Sequence, residues 1–291
     1  MNRRKKPVVS AVGLKYVMRE VNFSESLALS MLPTPKTETQ VLHFPVMWGT
    51  THESRRKPPA VSFIIPVYNE GDIIIQNLDA LCSFMEKESY ELIVCDDCSS
   101  DDTYLKLREA VTKNPSISLL HFNRRIGKGG TIKKAIKMAK SRTVLIMDAD
   151  LSTDLNYIPM FMKHVINDCS IVIAERSVSD RCTQGYFRVM LSLGYNALVR
   201  FFFRTGIKDH QCGFKGMRRD IAKLLASKIV NNGFLFDTEL IVTAKKLGIT
   251  IKTIKVKWRE TRTNKSSSIQ WLKTALTMMK DLVRLRLKSV K

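Results

Sequence analysis

From residue 61 onward the chain alternates short apolar runs with stretches of helical spacing. Residues 61–66, 91–95, 117–122 and 143–147 are compact apolar runs of strand length. Between them, residues 73–87, 103–112 and 130–140 repeat apolar side chains three and four apart, the spacing of a helix with one buried face. Strands alternating with helices imply right-handed crossovers, so the pattern predicts an α/β fold with a mostly parallel sheet flanked by helices. Strands that are apolar throughout suit a sheet covered on both faces. Residues 171–174 predict a fifth strand, residues 251–258 an alternating one, and residues 220–227 and 238–247 two further helices.

Two stretches in the C-terminal half follow a different pattern. Residues 186–204 are apolar but interrupted by Arg188, Arg200 and Arg204. A core helix seldom carries three arginines, whereas a helix lying in a membrane interface does. Residues 269–288 put Leu272, Ala275, Leu276, Met279, Leu282 and Val283 on one face and Lys273, Lys280, Arg284 and Lys288 on the other. Residues 1–57 have no clear period beyond a turn or two of helix at 27–32. They end in the charged hinge Arg55-Arg56-Lys57-Pro58-Pro59 and are expected to be an N-terminal extension without regular structure.

Charge sharpens this division. The formal net charge is +21, and residues 181–291 hold 24 Lys/Arg against 6 Asp/Glu. So basic a half implies an anionic partner: nucleic acid, anionic lipid or a phosphorylated substrate. No nucleic-acid-binding motif accompanies the charge, and a nucleic-acid reading leaves the acidic clusters below without a use. No apolar run approaches the ~20 residues that span a bilayer, and the basic start Met1-Asn2-Arg3-Arg4 lacks the apolar stretch of a secretory signal. Cys82, Cys95, Cys98, Cys169, Cys182 and Cys212 show no secreted-scaffold spacing and read as reduced, intracellular thiols.

The chemistry gathers at predicted strand ends, where open α/β sheets bind ligands. Tyr68-Asn69-Glu70 follows the first strand, Asp96-Asp97 the second and Asp148-Ala149-Asp150 the fourth. Several carboxylates in one place repel unless a cation offsets them. Asp148 and Asp150 therefore suggest a hard divalent metal that also takes phosphate oxygens, as Mg²⁺ does. Asn123 to Gly130 joins the third strand to a helix. Its glycines would let backbone N–H groups approach a phosphate, with Lys128 among them; a plain turn and helix start is the competing reading. The spacing is not that of a Walker P-loop.

Taken together, Ile64-Ile65-Pro66-Val67-Tyr68-Asn69-Glu70, Val94-Cys95-Asp96-Asp97-Cys98-Ser99-Ser100-Asp101-Asp102-Thr103 and Met147-Asp148-Ala149-Asp150 resemble the inverting glycosyltransferases with the GT-A fold. Asp209-His210-Gln211-Cys212-Gly213-Phe214-Lys215 and Phe236-Asp237-Thr238-Glu239-Leu240 resemble the dolichyl-phosphate β-glucosyltransferase branch, beside the dolichyl-phosphate mannose synthases. The resemblance covers about residues 60 to 290. It implies transfer of a sugar, best matched by glucose from UDP-glucose, to a dolichyl or polyprenyl phosphate with inversion. GDP-mannose and UDP-N-acetylglucosamine are the alternative donors. The cofactor would be Mg²⁺ or Mn²⁺, and the enzyme would sit peripherally on the cytoplasmic face of a membrane.

The same resemblance assigns residues. Pro66, Tyr68, Glu70, Asp96, Asp97, Lys128 and Asp148 would bind the nucleotide sugar, with Asp97 on the base. Asp148 and Asp150 would hold the metal. Arg176, Arg188 and Ser192 would take the acceptor phosphate. Apart from the resemblance, Asp209, Asp237 and Glu239 are carboxylates in the right half; Asp209 and Glu239 join Asp148 and Asp150 as catalytic candidates, with fixing of loops as the equal alternative for Asp209 and Glu239. Residues 58–180 would form the donor part and residues 181–291 the acceptor and membrane-facing part. Two departures stand out: the eukaryotic branch has an N-terminal membrane helix where this chain has a polar segment, and Ser152 stands where related mannose synthases place a third metal-binding side chain.

Overall fold

The structure is a computed structural model that describes residues 39–42, 58–167, 170–177, 186–259 and 268–288. Among these, eight strands form one sheet: β1 (Thr39–Leu42), β2 (Val61–Val67), β3 (Tyr90–Asp96), β4 (Ile117–Phe122), β5 (Thr143–Ile146), β6 (Ile171–Arg176), β7 (Lys215–Arg218) and β8 (Ile251–Val256). Their order is β1-β4-β3-β2-β5-β7-β6-β8. The β2–β3, β3–β4, β2–β5 and β6–β8 pairs are parallel, while β1 and β7 run antiparallel to their neighbours. The helices are α1 (Ile74–Phe84), α2 (Thr103–Lys113), α3 (Lys128–Met138), α4 (Ile158–Asn167), α5 (Tyr186–Phe203), α6 (Arg219–Lys228), α7 (Phe236–Lys246) and α8 (Ser268–Lys288).

The apolar runs become strands because alternate side chains enter opposite cores. Phe63, Ile65, Leu92, Val94 and Leu145 pack with α1, α2 and α4. Ile64, Ile93, Leu120, Val144 and Ile146 pack with α3, α6 and α7. Phe63, Phe122 and Phe161 are fully buried, and each such side chain stabilises the fold by about 1.5–3 kcal/mol relative to exposure.

The fold departs from the sequence pattern at three places, two strands and one helix. β1 lies ahead of residue 58, inside the segment expected to lack regular structure, and pairs with the open edge of β4. β7, Lys215-Gly216-Met217-Arg218, has no apolar run to reveal it; pairing with β5 and β6 on both sides fixes it. A Cβ on Gly216 would lie 2.8 Å from Leu145, so the strand fits there without a side chain. α4 buries Ile158, Phe161 and Val165 at helical spacing, with Pro159 in the first turn, where a missing N–H costs nothing.

α5 and α8 pack together around Tyr195, Val199, Leu235, Met278 and Leu282. The buried stripe of α8 is rotated from the expected one: Met278 and Leu282 are buried, while Leu276 and Val283 are exposed. The outward side of α5 is apolar, with Met190, Leu193, Ala197 and Phe201 exposed. No helix among the described residues is long and apolar enough to cross a membrane. Cys82, Cys95, Cys98 and Cys212 are free thiols; Cys169, Cys182 and the turn expected at 27–32 lie outside the described residues.

Candidate functional site

The carboxyl ends of β2, β3 and β5 open on a cavity of about 420 Å³. Pro66, Tyr68 and Glu70 line it from the end of β2, Asp97 from the loop after β3, and Asp148 and Asp150 from the loop after β5. Arg176 at the end of β6 and Ser192 on α5 complete the far side. Residues chosen from three strand ends and a distant helix thus share one wall-to-wall space.

Side-chain latches fix the loops. Asn69 adopts φ 51°, a left-handed conformation that asparagine tolerates better than most residues. Its Oδ1 accepts the Ser100 amide at 2.8 Å, and its own amide donates to Ser99 Oγ at 2.9 Å. The Glu70 amide donates to Thr103 Oγ1 at 2.9 Å. The loops after β2 and β3 are therefore one unit. Leu151, next to Asp150, also has a positive φ, 46°. Such a backbone costs on the order of 1–3 kcal/mol and persists where its surroundings enforce it.

Asp97 accepts the amides of Ile126 at 2.6 Å and Gly127 at 3.0 Å. It holds the start of α3 while still lining the cavity. Arg125 lies over the Tyr68 ring at 3.5 Å, which closes the cavity between them with a cation–π contact. Asp96 is placed differently from the expectation. It is fully buried behind the cavity, accepts the Ser99 hydroxyl and pairs with His121 Nδ1 at 2.7 Å. It shapes the loop and does not line the cavity.

The glycine run also differs from its expected use as a phosphate cradle. The Gly127 amide is taken by Asp97, and the Gly130 amide donates to Asn232 O at 3.0 Å. A Cβ on Gly127, whose φ is 83°, would meet Asn232 O at 2.4 Å, and one on Gly129 would meet Phe236 at 2.6 Å. These glycines let the loop before α7 press onto α3.

Lys128 forms the electrostatic centre. Its Nζ lies 2.8 Å from Asp148 and 3.2 Å from Asp237. Asp237 also binds Lys215 Nζ at 2.7 Å, and Lys215 is 0% exposed. Two ammonium groups and two carboxylates alternate in a chain leading from the core to the cavity. Burial works against the charge on Lys128, but Asp148 and Asp237 outweigh it, so its pKa is raised and it stays protonated. Gly213 is required here, since a Cβ would come within 2.0 Å of the Asp148 carboxylate.

Across the cavity, Arg176 makes a two-pronged contact with fully buried Asp209, Nε–Oδ2 2.7 Å and Nη2–Oδ1 3.0 Å. Burial opposes this charge too, and Asp209 more than offsets it, raising the Arg176 pKa. The guanidinium carbon also sits 5.5 Å from the Trp258 ring centre. Asp209 is thus the counter-ion of Arg176, away from the cavity lining. Glu239 likewise lies outside it and caps the loop before α7, accepting the Val230 amide at 3.0 Å and the Asn231 amide at 2.8 Å. Of the two readings open for these carboxylates, catalysis or fixing of loops, their contacts fit the second: Asp209 holds a guanidinium and Glu239 a loop.

Ser192 donates to Gln211 Oε1 at 3.4 Å. Arg188 is on α5, but its side chain lies outside the described residues. Ser152 lines the cavity, and its amide donates to Asp150 Oδ1 at 3.1 Å. Among the described residues, no group of three or more His, Cys, Asp or Glu side chains forms a metal cage. Sequence reasoning missed Tyr195, Gln211, Phe234, Trp258 and Met278 as lining residues. They come from separate elements in the C-terminal half; Gln211 lies inside the 209–215 motif, and no local motif marks the other four.

Comparison with known proteins adds a family. The model described as Glycosyl transferase family 2 matches residues 62–225. The chain is 34% identical over 247 residues to a dolichyl-phosphate beta-glucosyltransferase of Dictyostelium discoideum, covering 78% of this chain and 73% of that protein. It is 30% identical over 204 residues to glycosyltransferase AglD of Haloferax volcanii, covering 68% of this chain and spanning only 33% of that protein. Glucosyl-3-phosphoglycerate synthase from Mycobacterium tuberculosis, solved with Mn²⁺ and UDP-glucose, superposes with a TM-score of 0.56 at 19% identity, covering 78% of this chain and 79% of that one.

Proposed function

The chain belongs to glycosyl transferase family 2, a glycosyltransferase with an α/β fold of the GT-A type, and from that premise we propose that it transfers glucose from UDP-glucose to a dolichyl or other polyprenyl phosphate with inversion. The observation that carries this reading is the commitment of the carboxylates in the acceptor half. Asp209 is engaged by Arg176, Asp237 by Lys128 and Lys215, and Glu239 by two amides. An alcohol acceptor needs a base to remove its proton. A phosphate monoester, with a second pKa near ~6, is already mostly a dianion at neutral pH and needs none. The acceptor named for the Dictyostelium relative is of that kind.

Residues 58–180 form the donor part in this reading. Tyr68, Glu70 and Asp97 surround the nucleoside, and Lys128 stands beside the diphosphate. Asp148 and Asp150 fit a hard divalent cation, Mg²⁺ or Mn²⁺: both line the cavity, the Asp148 side chain is 37% exposed, and donor phosphate oxygens would complete the set. Such a cation, when bound, supplies charge stabilisation for the departing nucleoside diphosphate. Arg176, Arg188 and Ser192 take the acceptor phosphate and aim it along the line of displacement, so that catalysis rests on positioning. The apolar outward side of α5 and the basic face of α8 bring the cavity to the surface of a membrane, on its cytoplasmic side.

Radiolabelled UDP-glucose, GDP-mannose and UDP-N-acetylglucosamine, each incubated with dolichyl phosphate and Mg²⁺ or Mn²⁺, test the proposal. A chloroform-soluble, β-linked product from UDP-glucose alone is expected. Transfer from GDP-mannose instead would replace the donor, and no lipid product from any donor would overturn the acceptor.

A further inference from the structure

A second concavity, about 890 Å³, lies where the C-terminal end of α5 meets α7 and α8. Arg200 of α5, Arg204 just past its end, Lys245 and Lys246 of α7, and Arg286 of α8 line it, and no acidic residue does. None of these five cations is ion-paired with another described residue, unlike the cavity cations Lys128, Lys215 and Arg176. Five like charges repel unless an anion joins them, so the groove is complementary to a polyanionic surface or phosphate.

Its rim narrows the choice of anion. Phe201 borders the groove and is 78% exposed. It ends the outward stripe Met190, Leu193, Ala197 and Phe201 on α5. A soluble anion would answer the cations and leave that stripe in water. A membrane lipid offers phosphate and acyl region together, one for each part. We propose that the groove between α5, α7 and α8 is a binding site for anionic phospholipid headgroups, separate from the acceptor site.

The separation is set by α5. Ser192 lines the cavity, and Phe203, the last residue of α5, follows eleven residues later at the groove, about 16 Å along a helix rising ~1.5 Å per residue. A headgroup held at one end would fix α5 in the membrane plane and present the cavity at the other end to lipid substrates. The inference rests on the reading that the chain works at a membrane, so its test must fail separately from that reading.

The test uses the full chain with sedimented vesicles of neutral phosphatidylcholine and of phosphatidylcholine containing phosphatidylglycerol, at low and high salt. Wild type is expected on the anionic vesicles and largely absent from neutral ones. Lys245→Glu with Lys246→Glu should weaken anionic binding at least about tenfold, since each basic residue near such a surface contributes on the order of 1 kcal/mol. Phe201→Ser should weaken it further. Both lysines are exposed, so thermal melting should be unchanged. Transfer to a short, detergent-soluble polyprenyl phosphate should be equal in wild type and the double variant, while transfer to a long chain in anionic vesicles should fall only in the variant. Anionic binding unaffected by the double substitution overturns the proposal, as does equal binding of wild type to neutral vesicles. Capture by heparin in preference to anionic vesicles also overturns it, in favour of a soluble polyanion. Loss of short-chain transfer in wild type would instead count against the proposed reaction and leave the vesicle result standing.

Discussion

The cavity and the outer groove use positive charge in opposite ways. Lys128, Lys215 and Arg176 are largely or wholly buried, and each faces a carboxylate within 2.8 Å. Arg204, Lys245, Lys246 and Arg286 are exposed and face none among the described residues. Burial explains the contrast: a charge taken out of water must be paired, whereas a solvated one need not be. Pairing has a second effect, since it fixes a charge in place. The inner cations are aimed, and the outer ones are available.

The sharpest break would come at Asp150, which lines the cavity beside Asp148 on the loop after β5. Asp150→Asn should lower transfer by about a thousandfold or more, because several kcal/mol of charge stabilisation go with a metal ligand. Melting should be unchanged, and excess chelator should do the same to wild type. Full activity in chelator would end the metal reading.

Next in size is the inner end of the charge chain. Lys215→Met leaves Asp237 buried with one cation fewer, which should destabilise the fold by about 3–5 kcal/mol in chemical denaturation. Adding Asp237→Leu should restore much of that loss. If Lys215→Met alone is neutral, Lys128 suffices for Asp237 and the chain is not a unit.

His210 offers the third arrangement, a buried base kept neutral. Asn196 Oδ1 can only accept, so Nδ1 donates to it at 2.8 Å and Nε2 accepts from Thr205 Oγ1 at 2.8 Å. Burial pulls its pKa down to about 4. Below the free value of ~6.5 the unfolded chain takes a proton that the folded chain refuses. Stability is therefore full above that pH and falls by up to ~1.4 kcal/mol per pH unit on the way to about 4, a total near ~3 kcal/mol. Denaturation midpoints across pH 4 to 7 should show this slope, and His210→Gln should flatten it.

The smallest expected effect tests aim against charge. Arg176→Lys keeps the cation but loses the two-pronged hold on Asp209. Transfer should fall about ten- to a hundredfold, the worth of one charge-assisted contact, while calorimetric UDP binding stays unchanged. A fall in UDP affinity would move Arg176 to the donor side.

The comparison also explains what could be read from the chain beforehand. Apolar runs such as Phe63 to Ile65 announce themselves because both faces of the sheet are covered, and the carboxylates at strand ends are conspicuous because they sit where the apolar runs stop. What could not be read depends on partners far away in sequence. Lys215 looks like a solvated lysine until β7 carries it between β5 and β6. Asp209 and Glu239 have the right chemistry for catalysis, and only the fold shows that Arg176 and the loop before α7 use them. Gly127 to Gly130 reads as an anion cradle because nothing local reveals the 231–236 loop pressing on it.

That last contact has a mechanical consequence. Residues 127–130 and 231–236 lie about a hundred residues apart in the chain, and they meet with no room for a methyl group on Gly127 or Gly129. The corner behaves as a rivet. The two segments cannot part there without breaking the Gly130–Asn232 hydrogen bond and the one from Lys133 Nζ to Ile229 O.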